Sequence, residues 1–502
     1  MIRYILLIAG IVSTMAVAAQ LKVAPVFGDH MVLQRNKPLH VYGKGLPGTQ
    51  ISGLFKHQHA TTVVQQDSSW LLIFPAFAAA AKPDVLTVTD KRDTITLTDL
   101  LVGDVWLCAG QSNMEFPLAD DLHAKETLAA AAIPHLRLLQ ENKATSTYAV
   151  PYTIRDTVQL HPEKYFSGSW KRADAAAARP FSAVGYYFGR KIAATTGVPI
   201  GLINVAVGGS PCEAWIRPAA GRAVEQVQSV FEGNWWQNAA LEPWCIQRGH
   251  ENLDSLLAKG VQPPANELGY RHPFQPGFLY EAGVMPFLQL QIKGVIWYQG
   301  ESNALSAERV EQHSVLFPLM VADWRKQWQD TTLPFYFCQI SSISTEKGYK
   351  SENWPGFRDA QRRMAGSIPY SGMAVTSDVG HRTNIHPKEK RTVGERLALV
   401  ALHNSYADKH VATGPLPLKV SYRDDEVVIE FDGRLYTADK QALRGFSLEA
   451  GVEVPAVING NTVHIKALRK PETVYYGWQP YTDANLVNAA GLPASTMKLT
   501  IP

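Results

Sequence analysis

The chain has 502 residues, more than one hydrophobic core organises, so several domains are expected. An apolar share of 46% with 19% charged residues is that of a folded protein, and a net charge of +3 without a dense Lys/Arg block argues against nucleic acid as a partner. Its cysteines, Cys108, Cys212, Cys245 and Cys338, lie too far apart for a CxxC metal pattern, and neither metal nor cofactor is expected.

At the start, Arg3 precedes a mostly apolar run and the small residues Ala16-Val17-Ala18-Ala19. This order reads as a signal peptide over 1–19, cleaved near Ala19. The apolar part is short for a membrane span, and no cysteine follows the cut to carry a lipid. The mature protein is therefore expected to be exported, periplasmic or extracellular, with no membrane anchor. Export permits disulfides. The spacing does not choose among the pairings, although Cys108 and Cys338 fall in strand-like runs and read as buried thiols.

Residues 20–100 hold short alternating runs, such as Leu39-His40-Val41-Tyr42-Gly43 and Trp70-Leu71-Leu72-Ile73-Phe74, punctuated by Gly and Pro. Period-two patterning with turns between the runs predicts a small β-sandwich. From 101 to 413 strands alternate with helices, which predicts an α/β domain. Within it, 219–286 is an irregular insert rich in Trp, Asn, Gln and Pro. Such a segment is a lid, a binding loop or a poorly ordered excursion, or else it packs against the sheet edge. Residues 414–502 return to β patterning and form a C-terminal β domain.

The strand Val105-Trp106-Leu107-Cys108-Ala109 stops at Gly110 and delivers Gln111-Ser112-Asn113. Ligands of open α/β sheets bind at the carboxyl ends of the strands. Ser112 can be a nucleophile there, or only the cap of the next helix. Three further strand ends or helix starts carry Gly208-Gly209, the run from Gln299 to Asn303, and His386. Acyl transfer needs a nucleophile, a base, an orienter for the base and donors for an oxyanion. A parallel sheet brings such distant strand ends to one rim.

The blocks Gly110-Gln111-Ser112-Asn113-Met114, Gly208-Gly209-Ser210-Pro211-Cys212-Glu213-Ala214-Trp215, Trp297-Tyr298-Gln299-Gly300-Glu301-Ser302-Asn303 and Ile385-His386-Pro387 resemble the sialate O-acetylesterase family. That family belongs to the SGNH-hydrolase superfamily, which also holds acetylxylan esterases. Asp29-His30-Met31-Val32-Leu33-Gln34-Arg35 resembles its N-terminal region. The resemblance implies an α/β fold: a flavodoxin-like three-layer α/β/α hydrolase domain with accessory β-sandwich domains at both ends. It also implies that Ser112 attacks the acetyl carbonyl and that His386 takes and returns its proton. The oxyanion would face the N–H groups of Ser112 and Gly209 and the Gln299 amide.

His381 is a competing base and Ser302 a rival nucleophile. The superfamily often places an Asp two or three residues before the His, where this chain has Thr383 and Asn384. Asp378 is the nearest upstream carboxylate and a candidate orienter; a Ser–His dyad oriented by a backbone carbonyl is the other reading. Glu213, Trp215, Glu301, Asn303 and Arg358 are candidates for the substrate pocket, Glu301 also as a buried brace for its own loop. Arg358 could hold a sugar carboxylate bidentately.

The expectation is an esterase that removes O-acetyl groups from a sugar or glycan through an acetyl-Ser intermediate, with sialic acid the first choice of sugar and an acetylated plant polysaccharide the second. Arg358 in the pocket would favour sialic acid. An open groove lined by Trp235 and Trp236 would favour an acetylated xylan or pectin. A non-catalytic carbohydrate-binding protein built around a decayed hydrolase is the reading from another class, and a lipase or thioesterase on the same scaffold is a third.

Overall fold

Seven strands hydrogen-bond side by side at the centre of the chain: β1 (Thr94–Gly110), β2 (Ile133–Gln140), β3 (Trp170–Ala173), β4 (Ile200–Asn204), β5 (Gly294–Tyr298), β6 (Phe335–Cys338) and β7 (Ser371–Ala374). Their order is β3-β2-β4-β1-β5-β6-β7, and only β3 runs antiparallel to its neighbour. The computed structural model describes residues 20–502; the expected signal peptide lies outside the described residues.

Successive residues of a strand point to opposite faces, and here both faces are apolar. Trp106, Cys108, Ile296, Tyr298, Tyr336 and Cys338 meet helices α1 (Ala183–Thr196) and α4 (Arg391–Tyr406). The alternate residues Val105, Leu107, Ala109, Val295, Trp297 and Phe337 face the opposite way, toward α2 (Ala307–Trp328) and α3 (Trp354–Ser367). The result is the α/β domain that the alternation predicts, in the three-layer α/β/α form that the resemblance implies. α1 stops where Gly197, at φ +68°, closes its last turn by donating to Ala193.

The strand β1 belongs to two layers. Its first half pairs with Ala80–Thr89 and with Val32–Gln34 of the N-terminal β region, and its second half pairs with β4 and β5. The expected boundary between residues 100 and 101 thus falls inside one 17-residue strand. At the other end, two antiparallel four-stranded sheets between Pro417 and Thr500 enclose Val427, Ile429, Phe446, Val463, Val474 and Tyr476.

The insert is more regular than its composition predicts. It contains the helix Pro243–Leu257, and Phe231, Trp235, Leu253 and Phe274 join the main core. From that helix Asn252 donates to the carbonyls of Tyr148 and Val150, at 2.8 and 2.6 Å, so the insert buttresses the loop that carries Tyr148. Trp235 is buried and donates to the Tyr270 carbonyl, while Trp236 packs on His250 and Tyr270; neither is among the residues that line the cleft at Ser112. All four cysteines are buried free thiols. No helix of the described residues is long and apolar enough to cross a membrane.

Candidate active site

The chain order of the parallel strands reverses around β1, with β4 on one side and β5 on the other. That reversal opens a crevice at the carboxyl ends. Gly110 ends β1 at φ +130°, where a Cβ would come within 2.2 Å of the Tyr298 carbonyl oxygen; only glycine passes so close to β5. The short helix Ser112–Glu115 begins at once, so the Ser112 N–H lies in its first turn, where no helical acceptor exists.

His386 Nε2 lies 2.7 Å from Ser112 Oγ, although the two residues are 274 positions apart. Burial holds the His386 pKa below the ordinary imidazole value, helped by the nearby Lys390 cation and opposed by Glu115. The ring is therefore neutral at pH 7 and free to accept a proton. Among the described residues Ser112 Oγ is the one hydrogen-bond partner of the imidazole.

The third loop end is Gly208-Gly209. Glu115 accepts from the Gly208 N–H at 2.7 Å and pairs with Lys143, which draws this loop against the serine helix. A Cβ on Gly208 would sit 3.5 Å from that of Ser112. Gly209 has φ +77°, and a Cβ there would meet Phe274 and Trp244 of the insert at 2.9 and 3.0 Å. The Gly209 N–H donates to no group among the described residues, nor does that of Ser112. Two unspent amide donors and a Ser–His pair around one crevice suit a tetrahedral oxyanion.

Behind the pair lies a buried polar cluster. Asn113 donates to Glu301 Oε1 at 2.5 Å and to the Ile385 carbonyl at 3.1 Å, and accepts from Lys390 Nζ at 2.5 Å. Burial lowers the Lys390 pKa to about 7, against the pull of Glu301, and raises that of Glu301. The opening in front is a cleft of about 520 Å³, within the ordinary range for ligand sites. Glu115, Asp120, Glu141 and Lys143 are its charged walls, with Tyr148 and Phe116 as its aromatics.

A sequence profile described as "Carbohydrate esterase, sialic acid-specific acetylesterase" matches residues 102–235 and 278–403, more than half of the chain. The chain belongs to this family of carbohydrate esterases. It is a carboxylic ester hydrolase of that family. A solved carbohydrate acetylesterase from Xanthomonas citri is 32% identical, with a TM-score of 0.78 over 95% of this chain and 99% of its own. The sialate O-acetylesterases of Mus musculus and Homo sapiens are 28% and 27% identical. They cover 79% of this chain and 76% and 73% of their own lengths.

Several residues expected in the esterase site stand elsewhere. Asp378 is not the partner of His386: both its oxygens are taken by Arg396, at 2.6 and 2.7 Å. Asn384 accepts from the His386 backbone N–H, not from its ring. Arg358 does not face the cleft. It is fully buried and donates to the carbonyls of Gly477, Gln479 and Pro480 and to the Thr496 hydroxyl, pinning the C-terminal β domain to α3.

The Gln299 amide does not point at an oxyanion either. The Cys212 N–H donates to Asn303 Oδ1, which fixes the Asn303 amide, and Gln299 Nε2 then donates to that same oxygen at 2.6 Å. Asn303 completes its bonding on Glu213, and Glu213 is paired with Arg309. Trp215 packs on Trp297 and Trp324 and donates to the Ser210 hydroxyl. Gln299, Asn303, Glu213 and Trp215 therefore form a buried support under the Gly208-Gly209 loop, not a pocket wall. Glu301 is a brace, bonded to Asn113. Ser302 is engaged with the Gly209 carbonyl at 3.0 Å, and His381 lies exposed with Nδ1 on the Thr383 amide.

Glu115, Glu141, Lys143, Tyr148 and Lys390 were not singled out by sequence reasoning. Glu115 alone carried a local signal, since it lies in the first turn of the serine helix. The others approach the site only through folding.

Proposed function

We propose that the chain is a serine acetylesterase that uses a Ser112–His386 dyad. The 2.7 Å contact between Ser112 Oγ and His386 Nε2, at the mouth of the cleft, carries this reading. Ser112 Oγ attacks the acetyl carbonyl carbon while its proton passes to His386 Nε2. The carbonyl oxygen, now an oxyanion, accepts from the N–H groups of Ser112 and Gly209. The bond to the sugar oxygen breaks, and that oxygen takes the proton from His386. Water then attacks the acetyl-Ser112 carbonyl, giving its proton to His386; acetate leaves and Ser112 recovers its hydrogen.

The cleft favours a neutral sugar. Its carboxylates Glu115, Asp120 and Glu141 face one cation, Lys143, which is already paired with Glu115. Among the residues that line the cleft itself a sugar carboxylate would find no free cation, although Lys171 lines an adjoining depression, and Arg358, the residue expected to receive it, is spent elsewhere. A neutral acetylated glycan is thus the leading substrate class. The names of the family and of its mammalian members favour a second reading, O-acetylated sialic acid.

Acetate release from acetylxylan and from O-acetylated sialic acid, measured side by side, separates the two. Labelling by a fluorophosphonate tests the mechanism: wild type should label and Ser112→Ala should not. Folded wild type that neither labels nor releases acetate would point to a carbohydrate-binding protein instead. Export belongs to this reading as well, and the mature N-terminus should begin near Gln20.

A further inference from the structure

The cleft continues beyond the Ser112–His386 pair. Gln140, Asn142 and Pro180 line it and also line a second depression of about 290 Å³. The opposite wall of that depression is Ser167-Gly168-Ser169. Gly168 allows the two walls to meet, because a Cβ there would come within 2.4 Å of the Gln140 carbonyl oxygen. Asn142 Nδ2 donates across the floor to the Ser167 carbonyl at 3.2 Å.

The groups left over point to a ligand rich in hydroxyls. The Asn142 side-chain oxygen and the hydroxyls of Ser167 and Ser169 bond to nothing among the described residues. At the junction stands Glu141, whose carboxyl has no partner there and lies 3.1 Å from where a Gly168 Cβ would be. Burial brings its pKa to about 7, so near neutral pH it can donate or accept. An acyl chain in this depression would strip water from polar groups and repay none of them. A sugar hydroxyl donates and accepts at once.

We infer that this second depression is a subsite for the sugar next to the acetylated one, so that the enzyme acts on O-acetylated oligosaccharide or polysaccharide chains in preference to single sugars. The inference rests on the acetylesterase reading of Ser112 and His386. Binding at a remote sugar raises kcat/KM only for substrates long enough to reach it.

The test compares p-nitrophenyl acetate with partially O-acetylated mono- and tetrasaccharides of xylose and of glucose. In at least one sugar series the tetrasaccharide should have a kcat/KM about tenfold or more above the monosaccharide. Ala176 stands on the rim of the depression and contributes only a methyl group. Ala176→Trp should fill the space, collapse the tetrasaccharide-to-monosaccharide ratio toward one, and leave p-nitrophenyl acetate hydrolysis and Tm unchanged. If Ala176→Trp lowers Tm, Ser169→Phe fills the same space from the opposite wall, and the ratio is again the readout. Equal kcat/KM for both lengths in wild type, in both series, overturns the subsite, as does a length preference that survives in the filled variant. Wild type inactive on every probe, p-nitrophenyl acetate included, overturns the esterase reading itself.

Discussion

Asn113 Nδ2 donates to the Ile385 carbonyl oxygen at 3.1 Å, so the residue after the serine holds the residue before the histidine. The serine helix and the histidine loop are thereby joined by a side-chain-to-main-chain hydrogen bond beside the Ser112–His386 pair. Lys390 and Glu301 hold the same amide from its other sides. In the proposed dyad mechanism this cluster would take over the positioning that a carboxylate on the imidazole performs in a triad. Asn113→Ala should lower kcat by about 10- to 100-fold with little change in KM, since small misplacements of a base are costly. Steady-state kinetics on p-nitrophenyl acetate checks this, and Tm separates misplacement from unfolding.

Ser112→Ala and His386→Ala should each reduce acetate release by roughly 10⁴-fold or more, and the double variant should be no worse than the poorer single one. Residues that act as one unit lose their joint contribution at the first deletion. Additive losses would show that the two side chains work separately.

The pH profile follows from the environment of His386. Its pKa is lowered by burial and by Lys390, so it loses its proton below the ordinary imidazole value of about 6.5. The acidic limb of kcat/KM should accordingly fall below that pH. Lys390→Met removes a cation that disfavours imidazolium and should move the limb upward. Glu115→Gln removes an anion that favours it and should move the limb downward. A stopped assay of acetate release across pH 4–9 resolves both signs.

Gly209→Ala should cost about 10²–10³ in kcat. The left-handed backbone disfavours the added Cβ, which would also press on Phe274 and Trp244 and turn the amide away from the crevice. KM should change much less, because the oxyanion exists only after attack. The kcat-to-KM split is the readout.

Asp378→Asn should leave kcat within about threefold of wild type and cost roughly 0.5–1 kcal/mol of stability, the value of a half-exposed Arg–carboxylate pair. Arg358→Met should act the other way from a substrate-binding residue. It leaves the Gln479 carbonyl without a donor and takes one donor each from the Gly477 and Pro480 carbonyls, which keep the Thr496 hydroxyl and the Ile343 N–H; it costs roughly 1–3 kcal/mol and leaves the preference between neutral and acidic sugars unaltered. Thermal unfolding with parallel substrate panels checks both variants.

Much of this molecule is written in short stretches of its sequence. The apolar runs of β1, β4 and β5, each stopped by a polar or Gly-rich turn, declare a buried parallel sheet, because period and burial are properties of neighbouring residues. The same locality places Ser112 at a strand end; His386, expected at a helix start, lies instead in the loop ahead of α4, which begins at Arg391. The partner of a charged side chain is another matter. Arg358 bonds to residues 119–138 positions away, Glu213 to an arginine 96 positions on, and Asp378 to the next helix rather than to the nearby histidine. A long flexible charged group pairs with whatever the packing of distant elements brings within reach, and burial makes that pairing obligatory. Local pattern thus determined the sheet, its rim and the residues at its ends; only the packing of loops from across the chain decided which of the nearby carboxylates, amides and cations face the cleft and which are consumed in holding it up.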